Sequence, residues 1–261
     1  MNAGSQIACP EVRQQAVDEE EHKADTCAVI VAGGVGSRFG DARGKQFVEL
    51  CGLPLASWSV LAFDRAPSVG HIVIVCPAGR ADETRQLVLM PLTLTTPVSF
   101  AFGGQTRQES VMNGLSALPE GFELVAIHDG ARPLVSVETI EQCLEAVRED
   151  AALDGAICAC RCTDTLKLVE GSDIVATPDR SFYWCAQTPQ SFRIPAIVAA
   201  HRAAARDDYV GTDDASLIER LGGRVRCVES PRDNIKVTLP EDLAVAEASM
   251  RQRLASEGCG L

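Results

Sequence analysis

Short apolar runs alternate with stretches of helical spacing along almost the whole chain, and this alternation limits the fold more than any other feature. "TCAVIVA", "HIVIVCP", "PVSFAFGG", "LVAIH" and "GAICACRC" have the length and apolar density of buried strands. Between them, "PLASWSVLAFDRA" places Trp58, Leu61 and Ala62 on one side of a helix, and "RADETRQLVLM" and "QTRQESVMNGLSAL" read as further helices. "SVETIEQCLEAVRED" is a helix opened by Ser136 as N-cap. Strands alternating with helices predict an α/β fold, an open and mostly parallel sheet covered on both faces.

The rhythm breaks between Arg161 and Gln190. "CTDTLKLVEGSDIVATPDRSFYWCAQTPQ" holds short extended pieces around a turn at Glu170-Gly171-Ser172, which predicts a hairpin arm leaving the sheet. Helical character returns at "IPAIVAAHRAAARDD" and "TDDASLIERLG", and "RVRCVE" and "NIKVT" read as short strands. "PEDLAVAEASMRQRLA" closes the fold, with Pro240 at the first helical position and Glu241 and Asp242 in the first turn, where negative charge suits the dipole. The division expected is an acidic, disordered leader over 1–25, one domain over 26–256 with its arm at about 161–190, and a tail over 257–261. There is no internal repeat.

With 261 residues the chain can bury a sizeable core, and no stretch approaches the roughly 20 unbroken apolar residues of a membrane helix. The N-terminus lacks a basic start followed by an apolar run, so it is no secretory signal. A net charge of −12 argues against nucleic-acid or anionic-membrane binding. It is compatible with a phosphate ligand, because cations converging on one cleft outweigh an acidic surface screened beyond about 8 Å. The 11 cysteines show no repeated C-x-x-C pair. Cys158, Cys160 and Cys162 alternate along a strand, where Cys serves as a small apolar residue rather than a metal ligand. A reducing cytoplasm is the expected location.

The chemistry concentrates at strand ends, where ligands of open α/β sheets bind. After the first strand, "AGGVGSRFGDARGKQF" fits neither the P-loop, since Gln46 follows Gly44-Lys45, nor the dinucleotide fingerprint, since Phe39 takes the third glycine's place. Gly33, Gly34 and Gly36 let the backbone offer N–H groups to anionic oxygens, and Arg38 and Lys45 add two cations. Such a loop suits a transition state with spreading negative charge. Gly103-Gly104 follows the third strand and "HDGARP" the fourth. Asp129, at a strand end beside a phosphate cleft, is a natural Mg²⁺ contact. His128, one residue inward, reads as a hydrogen-bonded core histidine. Arg180, Thr188, Asp233 and Lys236, taken alone, read as solvated polar groups.

Together, "AGGVGSRFG…KQF", "GGQTRQESVMNGL", "HDGARP", "TDTLK", "QTPQSF", "TDDASLIE" and "DNIKVTLPEDL", in that order, make the chain resemble the 2-C-methyl-D-erythritol 4-phosphate cytidylyltransferases of the non-mevalonate isoprenoid pathway. The resemblance runs from about Cys27 to the closing helix. It implies a Rossmann-like nucleotidyltransferase domain that moves CMP from CTP to a sugar-alcohol phosphate, with Mg²⁺ and release of pyrophosphate. On that pattern Arg38 and Lys45 meet the triphosphate, while Ala32, Gly33, Gly104 and Ser110 hold cytosine and ribose. Asp129 is linked to the metal, and Arg132 belongs to the nucleotide side. Thr165, Arg180, Thr188, Thr212 and Lys236 surround the acceptor, with Arg180 and Lys236 orienting its phosphate. The resemblance also implies a homodimer whose arms complete each other's active sites.

Gly44 departs from the family, which usually has proline before the loop lysine. Glycine there is expected to leave Lys45 less pre-organised. At this length no fused downstream cyclase domain is expected. A ribitol 5-phosphate cytidylyltransferase shares the glycine loop and the aspartate turn and is the nearest alternative. A nicotinamide-dependent oxidoreductase lacks its third glycine here, and a non-catalytic nucleotide sensor leaves Arg180 and Lys236 without a purpose.

Overall fold

The computed structural model describes residues 24–34, 39 and 44–256. Gly36, Arg38, almost all of the leader and the tail at 257–261 lie outside the described residues.

Seven strands form the main sheet: β1 (Thr26–Val31), β4 (Val69–Cys76), β5 (Val98–Phe102), β6 (Leu124–Asp129), β7 (Gly155–Arg161), β10 (Trp184–Arg193) and β11 (Val225–Glu229). Two small hairpins supply β2 (Glu49–Leu50) with β3 (Leu53–Pro54), and β8 (Leu168–Glu170) with β9 (Asp173–Ala176). The main order is β11-β7-β10-β6-β1-β4-β5. β10 alone in it runs antiparallel to its neighbours, so the sheet is mostly parallel, as the alternation predicts.

The helices are α1 (Leu55–Asp64), α2 (Ala81–Thr84), α3 (Arg107–Ser116), α4 (Val137–Glu149), α5 (Ile194–Arg206), α6 (Asp214–Arg220) and α7 (Pro240–Ser256). The period-2 alternation of β1 divides the core between the two faces. Ala28 and Ile30 pack with Val60 and Phe63 of α1 and Ile140 and Leu144 of α4. Cys27 and Val29 pack with Val111 of α3, Ile197 of α5 and Leu217 of α6. A third cluster joins Leu50, Leu55 and Leu134 to Ala246 and Met250 of α7.

Four sequence expectations change. The buried side of α1 carries Ala56, Val60 and Phe63, whereas Trp58 is half-buried and donates Nε1–H to Leu50 O at 2.7 Å. The "RADETRQLVLM" helix is one α turn followed by a π-helical turn over Arg85–Leu89. "NIKVT" joins no ladder. The arm is shorter than Arg161–Gln190, because Trp184–Arg193 enters the main sheet as β10, and Gln187–Phe192 are buried there. Only β8 and β9 leave the sheet, and every residue of both is exposed.

Of the three alternating cysteines only Cys158 packs as the expected buried residue; Cys160 and Cys162 are half-buried, and Cys162 lies past the end of β7. Cys158 is buried with its Sγ 3.3 Å from Cys143 Sγ of α4, and burial raises its thiol pKa well above the ordinary value. The nine described cysteines are free thiols. No helix is long and apolar enough to cross a membrane among the described residues.

Candidate active site

Three loops meet at the carboxyl ends of β1, β5 and β6, tied by bonds that continue the sheet past its strands. Ala32 N–H donates to Val75 O at 2.8 Å, Gly103 N–H to Cys76 O at 2.8 Å, and Gly130 N–H to Val31 O at 3.0 Å. Gly33 and Gly103 touch backbone to backbone: a Cβ on Gly33 would lie 3.1 Å from Gly103 Cα. The loops therefore close on one another only because neither residue has a side chain. Behind them Ser110 Oγ accepts from Gly104 N–H at 3.0 Å and donates to Thr106 O at 2.8 Å, which fixes the second loop on the first turn of α3.

The cleft above these loops encloses about 440 Å³. Ala32, Gly33, Gly34, Lys45, Gly104, Ser110, Asp129 and Lys236 all line it. Of the residues singled out from sequence, these eight are brought together.

Lys236 reaches the cleft because the segment before it is pinned at several points. Arg132 Nη1 donates to Asn234 O at 2.7 Å, and Asn234 Nδ2 donates to Thr188 O at 3.0 Å and Gln187 Oε1 at 3.1 Å. Val237 N–H donates to Ala131 O at 2.8 Å, and Lys45 Nζ donates to Val237 O at 3.1 Å. These contacts replace the ladder expected for "NIKVT". They set Lys236 Nζ 2.7 Å from Asp129 Oδ2. Lys45 of the glycine loop and Lys236 of the C-terminal segment thus share one wall of the cleft.

Asp129 carries a second cation. Arg107 Nε lies 3.0 Å from Asp129 Oδ1, and Arg107 Nη1 lies 2.8 Å from Asp214 Oδ2. Burial acts to raise the Asp129 carboxyl, but Arg107 and Lys236 outweigh it and hold the group well below the usual carboxylate range. The same competition, decided by Arg107 and a hydrogen bond from His201, keeps Asp214 below its ordinary value. Burial opposes the charge of Arg107 as well, and its two carboxylates hold the guanidinium above its usual pKa. All three groups are therefore ionised at neutral pH.

Other expected site residues lie elsewhere. Thr188 is buried and does not line the cleft; its Oγ accepts Asp129 N–H at 3.0 Å and meets His128 Nδ1 at 3.0 Å. Arg132 turns under the loops toward Asn234, where burial lowers its pKa. Both hold cleft-lining residues in place from behind. Thr212 borders a second, small cavity with Arg107, Gln108 and Asp214. The loop containing it is clamped by Gln108, whose side chain donates to Tyr209 O at 3.0 Å and accepts Gly211 N–H at 2.9 Å. Thr165 and Arg180 are exposed and do not line this chain's cleft; Arg180 donates to Thr163 O. His128 is the core histidine expected, bonded to Thr188 and Arg132 O, with its ring tilted against Phe63 at 5.1 Å between centroids.

The sequence reading passed over Arg107, Thr106 and Gln46, all of which line the cleft. Arg107 had a signal: a cation at the first position of a helix opposes the dipole unless carboxylates pair with it. Gln46 is buried, and its Nε2 has no hydrogen-bond partner among the described residues, which nothing in the sequence marks.

What this arrangement suits is a polyanion. Lys45 and Lys236 converge on a cleft in which the carboxylate of Asp129 is already paired twice. Comparison with known proteins agrees with that chemistry. The family model for 2-C-methyl-D-erythritol 4-phosphate cytidylyltransferase matches residues 26–252. A protein of that description from Geobacter metallireducens is 41% identical over 231 residues, covering 87% of this chain and 98% of the relative. One from Geobacillus thermodenitrificans is 43% identical over 228 residues, with the same shares covered. Among solved structures, 4-diphosphocytidyl-2C-methyl-D-erythritol synthase from Anaerococcus prevotii superposes with a TM-score of 0.76 at 27% identity, over 87% of this chain and 96% of that one. The chain belongs to the 2-C-methyl-D-erythritol 4-phosphate cytidylyltransferase family.

Proposed function

We propose that the protein transfers CMP from CTP to 2-C-methyl-D-erythritol 4-phosphate, giving 4-diphosphocytidyl-2-C-methyl-D-erythritol and pyrophosphate for isoprenoid precursor synthesis. The observation that carries this reading is the convergence of Lys45 and Lys236 on the cleft that holds Asp129, at the ends of adjacent parallel strands. The acceptor is a phosphate dianion and already a competent nucleophile. An oxygen of that phosphate attacks the α-phosphorus, the bond to the β-phosphate oxygen breaks, and pyrophosphate leaves with that electron pair. No protein nucleophile and no strong base are needed. The barrier is repulsion between anions, so positioning and charge neutralisation supply the catalysis.

Each residue has a part in that task. The backbone of Ala32, Gly33, Gly34 and Gly104 admits the nucleotide, and Lys45 neutralises charge building on the triphosphate. Lys236 draws the acceptor phosphate toward the α-phosphorus. From the sequence pattern, Arg38 joins Lys45 on the triphosphate.

A divalent cation fits Asp129. Magnesium takes one or two carboxylates and completes its shell with phosphate oxygens and water. Asp129 offers a single ionised carboxylate at the cleft wall, and each paired oxygen keeps acceptor capacity. Among the described residues no cluster of three or more His, Cys, Asp or Glu side chains forms an all-protein cage. When bound, Mg²⁺ supplies charge neutralisation across the phosphates.

The arm supports a homodimer with shared sites; a cytoplasmic location is inferred from the cysteine usage of the sequence. Leu168, Val169, Ile174, Val175, Phe182 and Tyr183 are exposed on the hairpin and its base, and Phe182 is 82% exposed. So many exposed large apolar side chains on one short arm support a protein contact there. Thr165 and Arg180, far from useful in their own chain's cleft lining, would serve the partner's. Mixing Lys45→Ala and Arg180→Ala proteins is expected to restore part of the activity that each lacks alone; no recovery after subunit exchange counts against sharing.

The reaction is tested by incubating the protein with CTP, Mg²⁺ and methylerythritol phosphate. Equimolar pyrophosphate and cytidylylated product are expected. CTP hydrolysis to CMP without that product would refute the assignment.

A further inference from the structure

Arg107 is joined to two carboxylates from different parts of the chain. Asp129 ends β6 and Asp214 begins α6, and the guanidinium bridges them with Nε and Nη1. Asp214 is 1% exposed, and the surroundings hold it from every side. Its Oδ1 lies 3.1 Å from His201 Nε2, and its backbone N–H donates to Gln190 Oε1 at 3.1 Å. Gln190 also accepts Ala215 N–H and donates to Asp213 Oδ2 at 2.8 Å. A buried charge held this firmly is an anchor.

The planar guanidinium makes the anchor directional. Its donors stand in a fixed fork, so bonding Nη1 to Asp214 settles where Nε points. That direction is Asp129 Oδ1. Lys236 takes the other oxygen, on a flexible stem that imposes no plane. The orientation of the Asp129 carboxylate is therefore set mainly by Arg107, and that of Arg107 by Asp214.

We propose that Arg107 and Asp214 are a positioning pair for the active site: Asp214 fixes Arg107, and Arg107 holds Asp129 in the orientation in which a metal-bound nucleotide meets it. Neither residue needs to touch the reacting atoms. The proposal rests on the cytidylyltransferase reading of the cleft and adds two residues to its machinery. A clamp between helices α3 and α6 that serves stability alone would use the same contacts, so the test must separate the two.

Four proteins decide it: the wild type, Arg107→Lys, Asp214→Asn and the double variant. Arg107→Lys keeps the charge and loses the fork, so it retains the fold, which its melting temperature checks. CTP binding is followed by titration calorimetry at increasing Mg²⁺. The expected result is that Arg107→Lys raises the half-saturating Mg²⁺ several-fold. It should also lower kcat by about 10- to 100-fold, the scale of a misplaced group, with KM for the acceptor within about three-fold. Asp214→Asn should act in the same direction, and the double variant should be no worse than Arg107→Lys within about two-fold. If Asp214→Asn does not fold, Arg107→Lys still decides. An unchanged Mg²⁺ dependence and kcat in folded Arg107→Lys would overturn the proposal, as would single effects that multiply in the double variant. A wild type that binds CTP with Mg²⁺ but turns over no acceptor would sink the activity reading instead, and the calorimetry would still report on the pair.

Discussion

Lys236 Nζ stands 2.7 Å from Asp129 Oδ2, so a lysine read as acceptor-side is held by a carboxylate read as nucleotide-side. Under the proposed reaction, the pair places both halves of the reaction on one contact. Asp129 is paired on both oxygens in the substrate-free protein, with Lys236 on one and Arg107 on the other. An incoming phosphate can replace Asp129 as the partner of Lys236, while Arg107 keeps Asp129 paired.

Lys236→Ala is expected to act on the acceptor. Asp129 retains Arg107, so CTP affinity should stay within about three-fold of the wild type, while kcat/KM for the acceptor falls by about 100-fold, the scale of one lost charge-stabilising donor. Calorimetry with CTP and steady-state kinetics with varied acceptor check this. A ten-fold loss of CTP affinity with unchanged acceptor KM would place Lys236 on the wrong substrate.

Lys45→Ala should slow the chemical step more than it weakens CTP binding, by about 100-fold or more. Its ammonium lies on Val237 O in the protein alone, close to the cleft and ready for the triphosphate. Single-turnover kinetics measure the step directly. An unchanged chemical rate would remove Lys45 from that role.

Gly44 is more than a loosened proline. Its φ is 101°, in the region that favours glycine, and a Cβ there would lie 2.7 Å from Gln46 Nε2. Proline is fixed near −65° and cannot take this conformation. Gly44→Pro is therefore expected to cost about 1–3 kcal/mol of stability and to raise KM for CTP. Denaturant unfolding and steady-state kinetics test both, and a more stable, faster Gly44→Pro protein would contradict the structural reading.

Acid should destabilise the protein through histidines whose pKa burial lowers. Burial pushes His128 down from its ordinary 6.5 to about 4, so the folded state keeps the ring neutral while the unfolded chain protonates. The unfolded state then binds more protons below pH 6.5, and stability falls as pH drops from 6.5 toward 4, by roughly 3 kcal/mol from this group. His71, also lowered by burial, works in the same direction. Asp129 and Asp214, whose carboxyls are depressed, contribute stability that is lost only at lower pH. Urea unfolding at pH 7 and pH 5 should show a shallower loss for His128→Gln than for the wild type; equal slopes would contradict this.

Periodic elements were legible in the sequence because burial imposes their period. β1 sorts its side chains to two helical layers, and Ser136 caps α4 as its sequence signals. The misread pieces have local patterns that contacts elsewhere override. α1 is apolar on more than one side, so spacing alone could not choose Phe63 over Trp58. Ile235 and Val237 alternate like a strand, yet their segment is pinned by Ala131, Arg132 and Lys45 instead of a ladder. In the site, the glycines, Lys45 and Asp129 stood out by type and place, whereas Lys236 read as solvated until the family resemblance singled it out. Thr188 and Arg132 turned out to brace the cleft from beneath. The Arg107–Asp214 pair spans 107 positions of sequence, a contact only the folded sheet creates.

The most direct test of the central claim is a comparison of acceptors. With CTP and Mg²⁺ fixed, kcat/KM is measured by pyrophosphate release for 2-C-methyl-D-erythritol 4-phosphate and for ribitol 5-phosphate. The account expects methylerythritol phosphate to be preferred by at least about 100-fold, a difference of near 3 kcal/mol in transition-state binding. Equal use of the two, or a preference for ribitol phosphate, would contradict it.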